Sequence, residues 1–189
     1  MSKSENIRKY ALPAVAFTGL TVGSMILFSN RTGKEILKEA QKYLGQKEIQ
    51  PNKGWQNRNF QSLMEKIGWQ SGWDYCVLFT KLVLLKTLKG KKKKAVAKLF
   101  NASSQTTWQN LKKFEYLGLY KISNKAKVGS IAFYKHMQKE WRGHADIVIE
   151  ANQDNFKVVS ANGSVGVETK TRKYTFNSHT FRLLGFVNF

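Results

Sequence analysis

The sequence predicts an α+β domain whose helices come first and pack on an antiparallel sheet formed by the second half of the chain. Three observations carry this. Apolar residues recur at helical spacing as far as Phe114. Short β-rich runs divided by turn residues follow from Val128 to the end. The change between the two regimes is abrupt. A chain of 189 residues has room for one domain with a proper core and an appendage.

The appendage comes first. Between Lys9 and Arg31 there is no charged residue, and Ala11 to Phe28 just reaches the length of a membrane span. Pro13 stands near the start of the run, where a helix tolerates proline. Three readings stay open: a secretory signal with Lys3, Arg8 and Lys9 as its basic start, a permanent single-span anchor, and a weakly hydrophobic anchor that can leave the membrane. The spacing of Gly19 and Gly23 would suit self-association of such a helix. Residues 1–32 are therefore assigned to a hydrophobic segment and 33–189 to the folded domain. The localisation to expect is the membrane or the cell envelope.

In the domain, Ile36, Leu37, Ala40 and Leu44 fall at helical spacing, and Gly45 is a natural stop. "PNKGWQNRN" reads as a loop. "FQSLMEKIGW" reads as a short helix. "CVLFTKLVLLKTL" is nearly all apolar and too long for a strand, which predicts a buried helix starting at or just before Cys76. Val96, Leu99 and Phe100, then Trp108, Leu111 and Phe114, predict two more helices. "GSIAFYKH", "HADIVIEA", "NFKVVSAN", "GVETKTRKYTF" and "TFRLLGFVNF" predict the strands.

The charge is far from balanced. Thirty-two basic residues against twelve acidic ones give +20. Such a surface seeks polyanions: nucleic acid, anionic lipid or anionic cell-wall polymers. Lys91, Lys92, Lys93 and Lys94 are the densest run and the candidate polyanion-binding group, in what reads as an exposed loop and helix.

Cys76 is the only cysteine. No intrachain disulfide is open to it, and His136, His144 and His179 do not have the spacing of a structural zinc site. No metal or cofactor is expected. A buried cysteine is ordinarily inert. One at the start of a helix meets unpaired N–H groups and a partial positive charge, which favour a thiolate. Its partner would be a histidine on another element. "WRGHADIVIEANQDNFKVVSANGS" supplies one: His144 opens a strand, with Ala145, Ile147 and Ile149 on one face and Asp146 and Val148 on the other with His144. Asn162, after the next strand, could hold the imidazole. His136 and His179 read as surface histidines. Trp69, Trp73 and Tyr75 read first as core residues, although a sugar-binding groove would also use them.

"EAQKYLGQKEIQ", "WDYCVLFTKLVL", "KVGSIAFY", "GHADIVIE", "VVSANGS" and "LLGFVNF", in that order and spacing, resemble the successive blocks of CHAP-type cysteine peptidases and amidases. These are papain-like enzymes related to the NlpC-type cell-wall hydrolases. The resemblance covers residues 33–189. It implies a papain-like fold, no cofactor, and cleavage of an amide bond in peptidoglycan, either between sugar and stem peptide or within the peptide or cross-bridge. It also implies service in phage lysis, as an endolysin or a virion component, or in wall remodelling. Carried over, Cys76 matches the nucleophile, His144 the general base and Asn162 the orienting residue. Glu48 matches a recurrent acidic position, and Trp73, Tyr75 and Asp146 are pocket candidates. The chain departs from the pattern at three places. Gly129-Ser130 stands for Gly-Asp, Ser160-Ala161 lacks an acidic residue before the asparagine, and Asp146 replaces a small residue. Asp146 reads as a pocket residue or a solvated polar group rather than a catalyst, because neighbours on one strand face stand about 7 Å apart. A different class stays in view: an inactive hydrolase fold serving as a virion structural or nucleic-acid-binding protein.

Overall fold

The computed structural model describes residues 31–162, 166–175 and 180–189. The hydrophobic segment, with its proposed span and self-association, and His179 lie outside the described residues. Among the described residues no helix is long and apolar enough to cross a membrane.

Within them, five α-helices precede six strands. The helices are α1 (Arg31–Gln41), α2 (Arg58–Lys66), α3 (Cys76–Thr87), α4 (Gly90–Leu99) and α5 (Ser104–Phe114). A 3₁₀ turn at Glu115–Leu117 leads to β1 (Lys121–Ser123), β2 (Ile131–His136), β3 (Gly143–Ala151), β4 (Asn155–Ser160), β5 (Glu168–Lys173) and β6 (Phe181–Asn188). All pairings are antiparallel, in the order β1-β6-β2-β3-β4-β5. The architecture is thus α+β with an antiparallel sheet. β1 is the strand the sequence pattern does not announce: it has only three residues, too few for alternation to register.

α3 is the hub because its sequence leaves no polar stripe to face water. Eight of its twelve residues are buried, and it packs on α1 and on β3. Ala145, Ile147 and Ile149 of β3 enter the same apolar core as Val77, Phe79 and Leu84 of α3. α2 is started by Asn57, whose side-chain oxygen accepts the N–H groups of Asn59 and Phe60. α1 ends three residues before Leu44, which is exposed rather than buried. In α4, Val96 and Leu99 are buried, while Lys91, Lys93 and Lys94 are exposed and Lys92 is half-buried.

The other face of the sheet is also buried. Ala132, Tyr134, Val148, Phe156, Val158 and Phe186 form a second cluster there. Phe156 and Phe186 make ring contact at 5.0 Å, although β2 and β3 lie between their strands. Strands three places apart in a flat sheet stand about 14 Å from each other. The sheet therefore curls toward this face and closes it with its own side chains.

Gly143, the first residue of β3, lets α5 sit close. A Cβ there would collide with Ser104 Oγ, Tyr134 O and Gln105 Nε2. Gly143→Ala is expected to destabilise the protein by about 1–3 kcal/mol through overpacking against backbone. A lowered Tm in thermal unfolding of the full chain is the check.

Candidate active site

The start of α3 meets the sheet where β3 begins and β4 ends. There Cys76, Gly143, His144, Ser160 and Asn162 line one cleft of about 440 Å³. A second cleft, of about 410 Å³, also reaches Cys76 and is lined by Trp73, Trp141, Ser103 and Ser104 among others. Asp74, Cys76, Arg142 and Gly143 belong to both.

Cys76 is the first residue of α3 and the free cysteine. Tyr75 caps the helix without a side-chain hydrogen bond. The first-turn N–H groups of Cys76, Val77 and Leu78 have no acceptor within the helix. The Cys76 thiol lies near enough for its charge to act on the imidazole of His144. On its other side the imidazole meets a carboxylate: His144 Nε2 lies 2.7 Å from Asp146 Oδ1 and 3.1 Å from Ser160 Oγ. Nδ1 is left for the thiol. Asp146 and Ser160 are direct partners across β3 and β4, so sheet register sets their spacing.

Asp146 is fully buried. Arg172 of β5 pairs with its second oxygen at 3.5 Å. Burial alone would push the Asp146 carboxyl up, but the charge and hydrogen bond of His144, with Arg172 and Ser160, hold it down at about 2. Burial works against the imidazolium of His144 as well. The charges of Asp146 and Cys76, with the hydrogen bond to Asp146, outweigh it, and His144 is pushed up to about 10. The three side chains thus form an alternating row, with a cation held between two groups that can be anions.

The contact with the imidazole expected of Asn162 is made by Asp146. Asn162 takes a left-handed conformation, with φ of 66°, and its Nδ2 donates to Asp74 Oδ1 at 3.0 Å. Its side chain lines the cleft but holds Asp74, not the imidazole. Asp146, expected in the substrate pocket, lies behind His144, because its side chain leans along the strand and closes the gap between i and i+2. Tyr75, also expected to meet substrate, is fully buried against Trp55, with ring centroids 4.9 Å apart. Glu48 lines neither cleft. It accepts the Asn52 N–H at 2.7 Å, and burial together with the Asp74 charge raises its carboxyl above the usual range. Trp73 lines the second cleft and is 42% exposed. His136, expected at the surface, is buried at the end of β2. Ser130 is buried too, donating to Asn188 Oδ1 at 2.7 Å.

Sequence reasoning passed over Asp74 and Arg142. Arg142 Nη2 donates to Asp74 Oδ2 at 2.8 Å, linking the segment before Cys76 to the segment before His144. Burial works against the Asp74 carboxylate, but Arg142, Asn162 and Asn52 hold it below the usual range. The signal was a matched spacing: Asp74 and Arg142 each stand two residues before a reactive group. Among the described residues no group of three His, Cys, Asp or Glu is placed to hold a metal ion.

Compared with known proteins, the chain matches no family model, no curated protein and no solved structure.

The pairing has a pH signature. The His144 contribution to stability is full below its ordinary value of 6.5 and is lost as pH rises through about 10. The Asp146 contribution is full above its ordinary 3.8 and is lost as pH falls through about 2. An NMR titration of the His144 imidazole should show it charged at neutral pH, with a midpoint near 10. Asp146→Asn should lower that midpoint, because only Cys76 then opposes the burial of the imidazolium.

Proposed function

We propose that this chain is a papain-like cysteine hydrolase of the CHAP type that cleaves an amide bond of peptidoglycan. The observation that carries the reading is His144 held between the Cys76 thiol and the buried Asp146 carboxylate, in an open cleft at a helix start. Support also comes from the layout: a nucleophile helix buried against a sheet whose strand supplies the base, with the order of sequence blocks that the resemblance rests on.

The chemistry is acyl transfer. The Cys76 thiolate attacks the amide carbonyl carbon, and the carbonyl electrons move to oxygen. The first-turn N–H groups of α3, that of Cys76 foremost, stabilise this oxyanion. The C–N bond breaks as the imidazolium of His144 gives its proton to the leaving amine, and a thioester remains. Neutral His144 then takes a proton from water, the hydroxide adds to the thioester, and the acid is released with Cys76 again a thiolate. Asp146 keeps Nδ1 turned to the sulfur and stabilises the imidazolium before and after. In the family pattern an acidic residue often precedes the asparagine of the later strand. Here Ser160-Ala161 stands there, and Asp146 of β3 supplies the carboxylate.

A second reading has its own observation. The +20 charge and the exposed lysines of α4 suit a virion structural or nucleic-acid-binding protein on a hydrolase fold. On the hydrolase reading the same lysines attach the enzyme to anionic wall polymers or to a membrane surface, and the site of action is the cell envelope.

The test is digestion of purified peptidoglycan by the full chain, with new amino and reducing ends read by mass spectrometry. The expected outcome is a single class of new amino end. Cys76→Ser and His144→Ala should each abolish release, because such a set acts as a unit. Asp146→Asn should lower kcat/KM by about 10³-fold or more, whereas Asn162→Ala should be milder. Replacing Lys91 to Lys94 with Gln should weaken co-sedimentation with intact walls and flatten its salt dependence. If that variant instead loses DNA or RNA and keeps walls, the second reading prevails.

A further inference from the structure

His136 has no part in the chemistry above, yet it lines the same cleft as Cys76 and His144 and is 7% exposed. Its Nδ1 accepts two backbone N–H groups, from Gln138 and Lys139, each at 3.1 Å. A ring nitrogen that accepts two donors carries no proton, so the ring proton is on Nε2. With the Nδ1 edge turned to the backbone, the opposite edge is what His136 offers the cleft. Among the described residues none accepts a hydrogen bond from Nε2–H. Nε2 is not among the side-chain atoms buried without a partner, so its N–H faces the cleft, where a ligand oxygen can accept it.

The surroundings indicate the kind of oxygen. Arg142, Arg172 and Lys170 line the cleft, but each is already engaged by a carboxylate: Asp74 at 2.8 Å, Asp146 at 3.5 Å and Glu168 at 2.9 Å. Among the described residues, each cation lining the cleft already has a carboxylate partner. An uncharged donor beside satisfied ion pairs suits an uncharged acceptor. The distance indicates where that acceptor lies. The Phe181 ring stands between the two imidazoles, 5.1 Å from His136 and 5.9 Å from His144. A peptide advances at most about 3.3–3.6 Å per residue, so the contact falls within about three residues of the bond that is cut.

The geometry points to His136 as a specificity-determining residue whose Nε2–H donates to an amide carbonyl oxygen of the substrate, within about three residues of the scissile bond. This inference rests on the hydrolase reading, and the experiment separates the two. Full-length wild type, His136→Asn and His136→Gln are assayed on a soluble disaccharide–tetrapeptide muropeptide and on shorter muropeptides with residues removed from the peptide end. In His136→Asn the amide oxygen replaces Nδ1 as acceptor for Gln138 and Lys139, so thermal unfolding should stay near wild type while the donor is lost. In His136→Gln the amide N–H stands near the place of Nε2–H.

For His136→Asn the expected result is a KM about fivefold higher on the intact muropeptide, with kcat little changed. One of the truncations should cost wild type a similar factor and cost His136→Asn no more. His136→Gln should recover part of the loss. In the full-length Cys76→Ser chain, the His136 Nε2–H resonance should shift and exchange more slowly on saturation with the intact muropeptide. An unchanged KM in His136→Asn, a loss in kcat alone, or a resonance that does not respond overturns this inference and leaves the hydrolase reading standing. Wild type that neither cleaves nor binds the muropeptide overturns both.

Discussion

The structure is organised around one buried negative charge. A carboxylate removed from water cannot stay ionised unless partners replace the lost solvation. Asp146 finds three, from three strands: His144 on its own strand, Ser160 directly across on β4, and Arg172 on β5. A slip of one residue in β3 would carry Asp146 to the other face, into the apolar cluster with α3. The register that places Ile147 and Ile149 in the core is therefore the register that puts the carboxylate behind the imidazole. Fold and site share a single constraint.

The same curl of the sheet serves both. Rolling toward the face of Phe156 and Phe186 buries that face without a second layer of helices. It also turns the ends of β3, β4 and β5 inward, where their polar side chains converge. α3 supplies the rest, since an apolar helix with no wet stripe must be surrounded, and its first turn is the part left open at the sheet's end.

Much of this was legible in the residues. The unbroken apolar run from Cys76 marked a buried helix, and strict alternation in "HADIVIEA" assigned the faces of β3. The partner of His144 was harder to read. Strand periodicity spaces Asp146 too far from His144 for a direct bond, and only the lean of two side chains, which pattern does not record, closes the gap to 2.7 Å. Asn162 was plausible by position, but a left-handed backbone turns its amide to Asp74. Tyr75 and His136 failed for a common reason. An aromatic or imidazole side chain carries both an apolar body and a polar edge, so its type does not reveal which of the two the fold buries. The link between Asp74 and Arg142 joins segments far apart in the chain, and pairings of that kind leave no local periodicity to detect.

That link has a consequence of its own. Asp74 and Arg142 line both clefts, and Cys76 opens to each. Both clefts thus share the sulfur and the ion pair beside it. A molecule entering by either cleft therefore meets the same Asp74–Arg142 pair beside the sulfur.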